Sequence, residues 1–187
     1  FRHCINWSVD GSLHFQCMDW RHLVEMSTAG AKAGLKLINL CVWAKTQAGM
    51  GSLYRSQHEL VFLFKSGRAP HVNNVELGKH KRFRTNLWTY AGTNGSSRIC
   101  DADLASHPTR KPIAMIADAI LDASRPKDII LDAYAGSGST LVAAHKVRRR
   151  GYGIELDPLY CDVILRRMRS VTGIEPVHVE TGQTFTE

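Results

Sequence analysis

Leu131-Asp132-Ala133-Tyr134-Ala135-Gly136-Ser137-Gly138-Ser139-Thr140 decides how this chain is read, and Tyr152-Gly153-Ile154-Glu155 completes the reading. The run Asp128-Ile129-Ile130-Leu131 predicts a buried strand, and Gly136 and Gly138 predict a turn. Ser139 to Lys146 predicts a helix whose unpaired N–H groups and positive end face a ligand. A second strand then delivers an acid. Glu155 follows Asp132 at roughly the 20-residue spacing at which a carboxylate leaving the next strand of a Rossmann-like unit meets the hydroxyls of a cofactor ribose. A Gly-Ser-Gly turn by itself also serves as a plain strand-to-helix joint. Two other phosphate-binding patterns do not fit: no lysine follows Gly138, as a P-loop requires, and the third glycine of the dinucleotide fingerprint is missing.

Upstream, His107-Pro108-Thr109-Arg110-Lys111-Pro112 precedes Ile113, Ile116, Ala117, Ile120 and Leu121, which repeat at helical spacing; Pro112 suits the first turn of that helix. Through these residues the chain resembles the DNA amino-methyltransferases, which use S-adenosylmethionine to methylate the exocyclic amino group of adenine or cytosine. His107 to Pro112 is similar to the family's His-Pro-Thr-x-Lys-Pro segment. Asp132 to Thr140 is similar to its Asp-Pro-Phe-x-Gly-Ser-Gly-Thr-Thr, and Gly153 to Tyr160 to its Gly-Ile-Glu-x-Asp-Pro-x-Tyr. The order matches the subgroup in which the cofactor half follows the catalytic half. Ala133, Tyr134 and Ser139 depart from the pattern without removing a polar group the cofactor needs.

The resemblance implies an α/β fold: a Rossmann-like methyltransferase sheet, mostly parallel with an antiparallel edge pair, helices on both faces, and incomplete in this chain. It implies S-adenosylmethionine as cofactor, held by Thr109, Lys111, Asp132, Gly136, Ser137, Gly138, Ser139, Thr140 and Glu155, and double-stranded DNA as substrate. Lys111 would pair with the methionine carboxylate, and Asp132 would accept from its ammonium or order the glycine turn. Asp157 reads instead as the cap of a helix over Pro158 to Arg169. The family's catalytic signature, Asp, Asn or Ser followed by Pro-Pro and an aromatic, occurs nowhere in the 187 residues, so no catalytic residue is assigned and the chain is expected to be the C-terminal portion of a longer protein. The competing expectation is a non-catalytic DNA-binding or regulatory module that keeps the cofactor fold, or a methyltransferase acting on RNA or a small molecule.

A formal charge of +7 suits a polyanionic partner. Lys79, Lys81, Arg82 and Arg84 cluster in a segment poor in periodicity and are expected to contact DNA phosphate; Arg148, Arg149 and Arg150 close the helix after the glycine turn, where cations are favoured whatever the partner. Five cysteines, odd in number and without a close pair, predict no disulfide framework and no zinc site, and thiols of a reducing, cytoplasmic compartment. The nine histidines show no metal-like spacing. No apolar run reaches the roughly 20 residues a membrane span needs.

Patterning organises the remainder. Leu13, Phe15 and Cys17 alternate as in a strand, and Asp19 is placed to cap a helix carrying Leu23, Met26 and Ala33. Leu37 to Trp43 and Glu59 to Lys65 read as buried strands that would sit as the antiparallel pair. One methyltransferase domain is expected, with residues 1–65 as the remaining part of the catalytic half and 66–106 as an exposed target-recognition loop region. Residues 107–175 form the cofactor half and 176–187 a loose tail.

Overall fold

The computed structural model describes residues 1–81, 83–92 and 110–185. The chain divides into two compact units, Phe1–Asn94 with Leu121–Ser124, and Gly95–Ile120 with Arg125–Glu187. In the first unit α1 (Arg2–Asn6) precedes β1 (Leu13–Met18), and α2 (Leu23–Lys32) leads to β2 (Lys36–Lys45), β3 (His58–Lys65) and β4 (Leu87–Tyr90). The sheet order is β1-β3-β2-β4. The expected antiparallel pair is β2 with β3, and β3 runs antiparallel to β1 as well, so the reversed strand lies inside the sheet.

The residues of β3 explain its central position. Leu60, Val61, Phe62 and Phe64 are all buried, so successive side chains fill both faces, as an interior strand requires. On one face Phe62 and Phe64 stack with ring centroids 6.0 Å apart, and Phe1 meets Phe64 edge-on at 5.5 Å. Leu35, Leu60, Met26 and Leu40 complete that cluster. Helix α2 approaches it through Gly30, where an added Cβ would lie 2.4 Å from the Phe64 ring. Asp19 caps a 3-10 turn, Trp20–His22, ahead of α2, by accepting from the Arg21 amide at 2.9 Å.

Two expectations are corrected. Residues 66–106 are not all loop, because Leu87–Tyr90 forms β4, parallel to β2 with Trp88 in register with Trp43. Trp88 is buried against Phe15 while Leu87 and Thr89 stay exposed; four residues are too few for that alternation to stand out in sequence. The tail, in turn, doubles back: Val177 bridges Thr184, and the His178 amide donates to the Gln183 carbonyl at 2.8 Å.

His14, on β1, is only 9% exposed, and its Nε2 has no hydrogen-bond partner among the described residues. Burial pushes its pKa below the ordinary value of 6.5, so the native imidazole is neutral. Above 6.5 neither the folded nor the unfolded form takes up this proton. As pH falls below 6.5 the unfolded chain binds it first, and stability declines until the folded pKa is passed. The urea midpoint of the wild type is expected to fall between pH 7.5 and pH 5 by more than that of His14→Leu; equal falls would show that this imidazole does not carry the effect.

The second unit is built from α3 (Ile113–Ala123), whose last residues belong to the first unit, then β5 (Ile129–Asp132), α4 (Ser139–Lys146), β6 (Arg150–Gly153) and α5 (Pro158–Thr172). β5 and β6 pair in parallel, with Asp132 opposite Gly153. Ile120, Ala143 and Ala144 are buried together, with Ile113, Ile116, Ala117, Ile130 and Val147 packed around them. Small residues on α4 and on β6 let helix and strand approach closely: a Cβ on Gly151 would meet Leu141 at 2.9 Å.

Candidate cofactor site

The site grows from the ends of β5 and β6. Asp132 closes β5, and its Oδ1 accepts from the Tyr134 amide at 3.1 Å, which starts the turn. The Ile154 amide donates to the Asp132 carbonyl at 2.9 Å and the Ala135 amide to the Ile154 carbonyl at 3.0 Å, so the two strand ends stay side by side beyond the last ladder pair. The Gly138 amide closes the turn on the Ala135 carbonyl at 2.8 Å. Gly138 sits at φ 73°, a left-handed conformation that strains any residue with a Cβ, and such a Cβ would stand 3.0 Å from Ile164 on α5.

Helix α4 starts immediately afterwards. The Val142 amide reaches the Gly138 carbonyl at 3.1 Å, and the amides of Ser139, Thr140 and Leu141 precede the first intrahelical bond. Glu155 lies across the turn: its Oε2 accepts from the Gly136 amide at 2.6 Å, and its Oε1 from the Leu156 and Asp157 amides at 2.9 and 3.1 Å. Tyr134, Ile154 and Leu156, all exposed, place an apolar border next to these carboxylates. An anionic pair beside an apolar edge and a helix N-terminus can hold a ligand with hydroxyl groups and a flat aromatic ring.

The structure brings Asp132, Gly136, Ser137, Gly138, Ser139, Thr140 and Glu155 together. Within that group Ser137 and Ser139 are buried, and their hydroxyls face Arg167 of α5 rather than the outside of the turn. Lys111 is half-buried ahead of α3. Thr109 lies outside the described residues. Asp157 caps α5 through the Leu159 amide at 2.9 Å, as its position before Pro158 predicts.

The basic cluster divides. Lys79 and Lys81 belong to a 3-10 turn, with Lys79 ion-paired to Glu76 at 3.0 Å and Lys81 exposed. Arg84 pairs with Asp122 and lies 5.4 Å from the Trp88 ring centre, so its guanidinium braces the first unit. Arg82 lies outside the described residues. Arg149 donates to the Val147 carbonyl and Arg150, on β6, to the Lys127 carbonyl. Cys41 is buried, and burial raises its thiol pKa, the opposite of what a nucleophile needs. Among the described residues no group of three or more His, Cys, Asp or Glu could hold a metal ion, and no helix is long and apolar enough to cross a membrane.

Arg167 is the residue that sequence reasoning missed. Its signal was present: it falls on the helical stripe of Tyr160, Ile164 and Val171, where an arginine is out of place unless its charge is held inside.

Comparison with known proteins bears on the family and the fold. A family model described as DNA methylase matches residues 4–166. The type II methyltransferase M.HinfI of Haemophilus influenzae is 28% identical over 143 residues, which are 72% of this chain and 40% of that protein. A second relative, from Escherichia coli strain K12, is 29% identical over 152 residues, 81% of this chain and 60% of the relative. The chain thus spans between two fifths and three fifths of the length of these relatives. Among solved structures, M1.HpyAVI in complex with SAM superposes with a TM-score of 0.71 at 20% identity, covering 89% of this chain and 82% of that one. The cytosine-N4-specific PvuII DNA methyltransferase gives 0.61 at 18% identity, covering 78% and 54%. The shared fold is the Rossmann-like α/β arrangement expected from the glycine turn.

Proposed function

The chain belongs to the DNA methylase family, and from that premise we propose that its Gly136–Gly138 turn binds S-adenosylmethionine in an enzyme that methylates the exocyclic amino group of adenine or cytosine in double-stranded DNA. The observation that carries this reading is Glu155, held by three backbone amides at the end of β6 and in contact with Gly136. A carboxylate has two acceptor oxygens, enough for both hydroxyls of a ribose. The donor set fits the rest of the cofactor. Ile154, Leu156 and Tyr134 offer apolar surface for adenine, and Asp132 with the start of α4 offers an acceptor and free amides for the ammonium and carboxylate of the methionine end. Lys111 and Thr109, carried by the segment before α3, complete the methionine end in this reading.

When bound, the cofactor supplies a methyl group on a sulfonium sulfur, which is already a good leaving group. This chain's residues orient that group and shield it. The base, taken out of the stack, would present its amino nitrogen for direct transfer. Titration calorimetry tests the assignment. Wild-type chain is expected to bind S-adenosylmethionine or its demethylated product, and Glu155→Ala to weaken binding by roughly 1–3 kcal/mol. No binding by the wild type sinks the cofactor reading, and undiminished affinity of the variant sinks the ribose assignment alone.

For DNA, Lys79 and Lys81 remain the phosphate contacts we assign, Arg82 with them, whereas Arg84 is engaged with Asp122 and Trp88. Such contacts position a duplex without reading it. Neutralising Lys79 and Lys81 to Gln is expected to flatten the salt dependence of DNA binding by up to roughly two units of slope, at about 0.9 per contact, with little change in sequence preference. An unaltered slope would return the turn to solvent, with Arg148 to Arg150 the next place to look.

A further inference from the structure

Arg167 enters α5 three residues after Ile164, and both belong to the face of α5 turned to the glycine turn. Its guanidinium is buried, the residue being 9% exposed, although arginine in a soluble protein normally keeps its head in water. One nitrogen, Nη1, donates to the Ser137 carbonyl at 2.7 Å, to the Ser139 hydroxyl at 3.0 Å and to the Ser137 hydroxyl at 3.3 Å. These three acceptors span the left-handed residue Gly138 and the first residue of α4. The guanidinium is therefore tied to both sides of the peptide whose orientation decides which way the turn presents its amides.

We propose that Arg167 is a positioning residue of the cofactor site: it fixes the Ser137 carbonyl and both serine hydroxyls inward, so that the turn offers backbone N–H groups outward to the methionine end of the ligand. The proposal rests on the cofactor reading above. A charged donor suits this work because its bonds are stronger than neutral ones, and the planar guanidinium fixes the directions of the two N–H bonds that Nη1 shares among the three acceptors, which a freely rotating ammonium does not. It also gives the two serines a purpose different from the one their sequence position suggests. They are anchors for the turn, and the cofactor meets their backbone.

The test uses the full chain and two readouts. Arg167→Ala leaves a space the size of a guanidinium group beneath the turn. Titrated with S-adenosylmethionine, it is expected to bind roughly ten- to a hundredfold more weakly than wild type, and guanidinium chloride, far below denaturing concentration, is expected to restore much of the loss where methylammonium chloride does not. In ligand-free protein the amide resonances of Gly136 and Gly138 are expected to move in the variant while that of Gly34, in the first unit, stays in place. The glycine shifts report the turn even if the wild type binds no cofactor, which keeps failure of this proposal apart from failure of the cofactor reading. A folded Arg167→Ala with wild-type affinity overturns the proposal, as do unmoved Gly136 and Gly138 resonances, or a loss that guanidinium does not relieve. Should Arg167→Ala not fold, Arg167→Lys carries the test: reduced affinity with displaced glycine resonances supports the strut, and unchanged values for both overturn it.

Discussion

Gly138→Val is expected to abolish measurable cofactor binding and to destabilise the second unit by roughly 3 kcal/mol or more. Two separate penalties combine. A β-branched residue at φ 73° carries backbone strain of roughly 1–2 kcal/mol or above. Its Cβ would also stand 3.0 Å from Ile164 Cγ1, inside a packed contact between the turn and α5, where overpacking costs about 1–3 kcal/mol. Gly173 supplies the control. It ends α5 at φ 69° with nothing within 4 Å of an added Cβ, so Gly173→Val isolates the strain. Urea unfolding should therefore rank Gly138→Val well below Gly173→Val, and calorimetry should find cofactor affinity lost only in the former. Equal losses of stability, with binding retained in both, would show that the turn tolerates a side chain and that its geometry does not govern the site.

Phe64→Ala is expected to destabilise the first unit by about 3–5 kcal/mol, the usual range for truncating a fully buried aromatic ring. Phe64 is completely buried, stacks on Phe62 and receives the edge of Phe1, so its removal empties the centre of that face of the sheet. A double-mutant cycle sharpens the test. Gly30→Ala alone should destabilise, because its Cβ would fall 2.4 Å from the Phe64 ring. In the Phe64→Ala background the same change should become neutral or stabilising, because alanine favours the helix by about 1 kcal/mol over glycine and the ring is gone. Additive effects would mean that α2 and the ring are not packed as described.

The parts of the fold that sequence made legible are those in which local chemistry and tertiary role coincide. Ser139 to Lys146 forms a helix over just those residues because a left-handed glycine starts it and a small-residue face lets it lie on β6. Glu155 was recognisable because it follows Tyr152-Gly153-Ile154 and its spacing from Asp132 is a property of the connecting unit. β4 was not legible, since Leu87–Tyr90 owes its conformation to β2 and to Trp88 packing on Phe15. The partners of Arg84 were hidden for a related reason: in sequence it is one cation of a cluster, and only the fold brings Asp122 and Trp88 to it. Ser137 and Ser139 show the same limit within the motif itself. Their positions were readable, but the direction of their hydroxyls depends on Arg167, a partner some thirty residues away that no local pattern announces.

The bond from the Gly136 amide to Glu155 gives binding its thermodynamic character. With Oε2 on the turn and Oε1 on two amides of the following segment, the carboxylate cross-links β5 and β6 before any ligand arrives. A nucleoside entering such a site orders almost nothing in the protein, so most of the entropy of immobilisation falls on the ligand alone. Association should then be a single kinetic phase whose rate rises linearly with ligand concentration, and the heat-capacity change should match the apolar surface of one adenine ring, with no added contribution from folding.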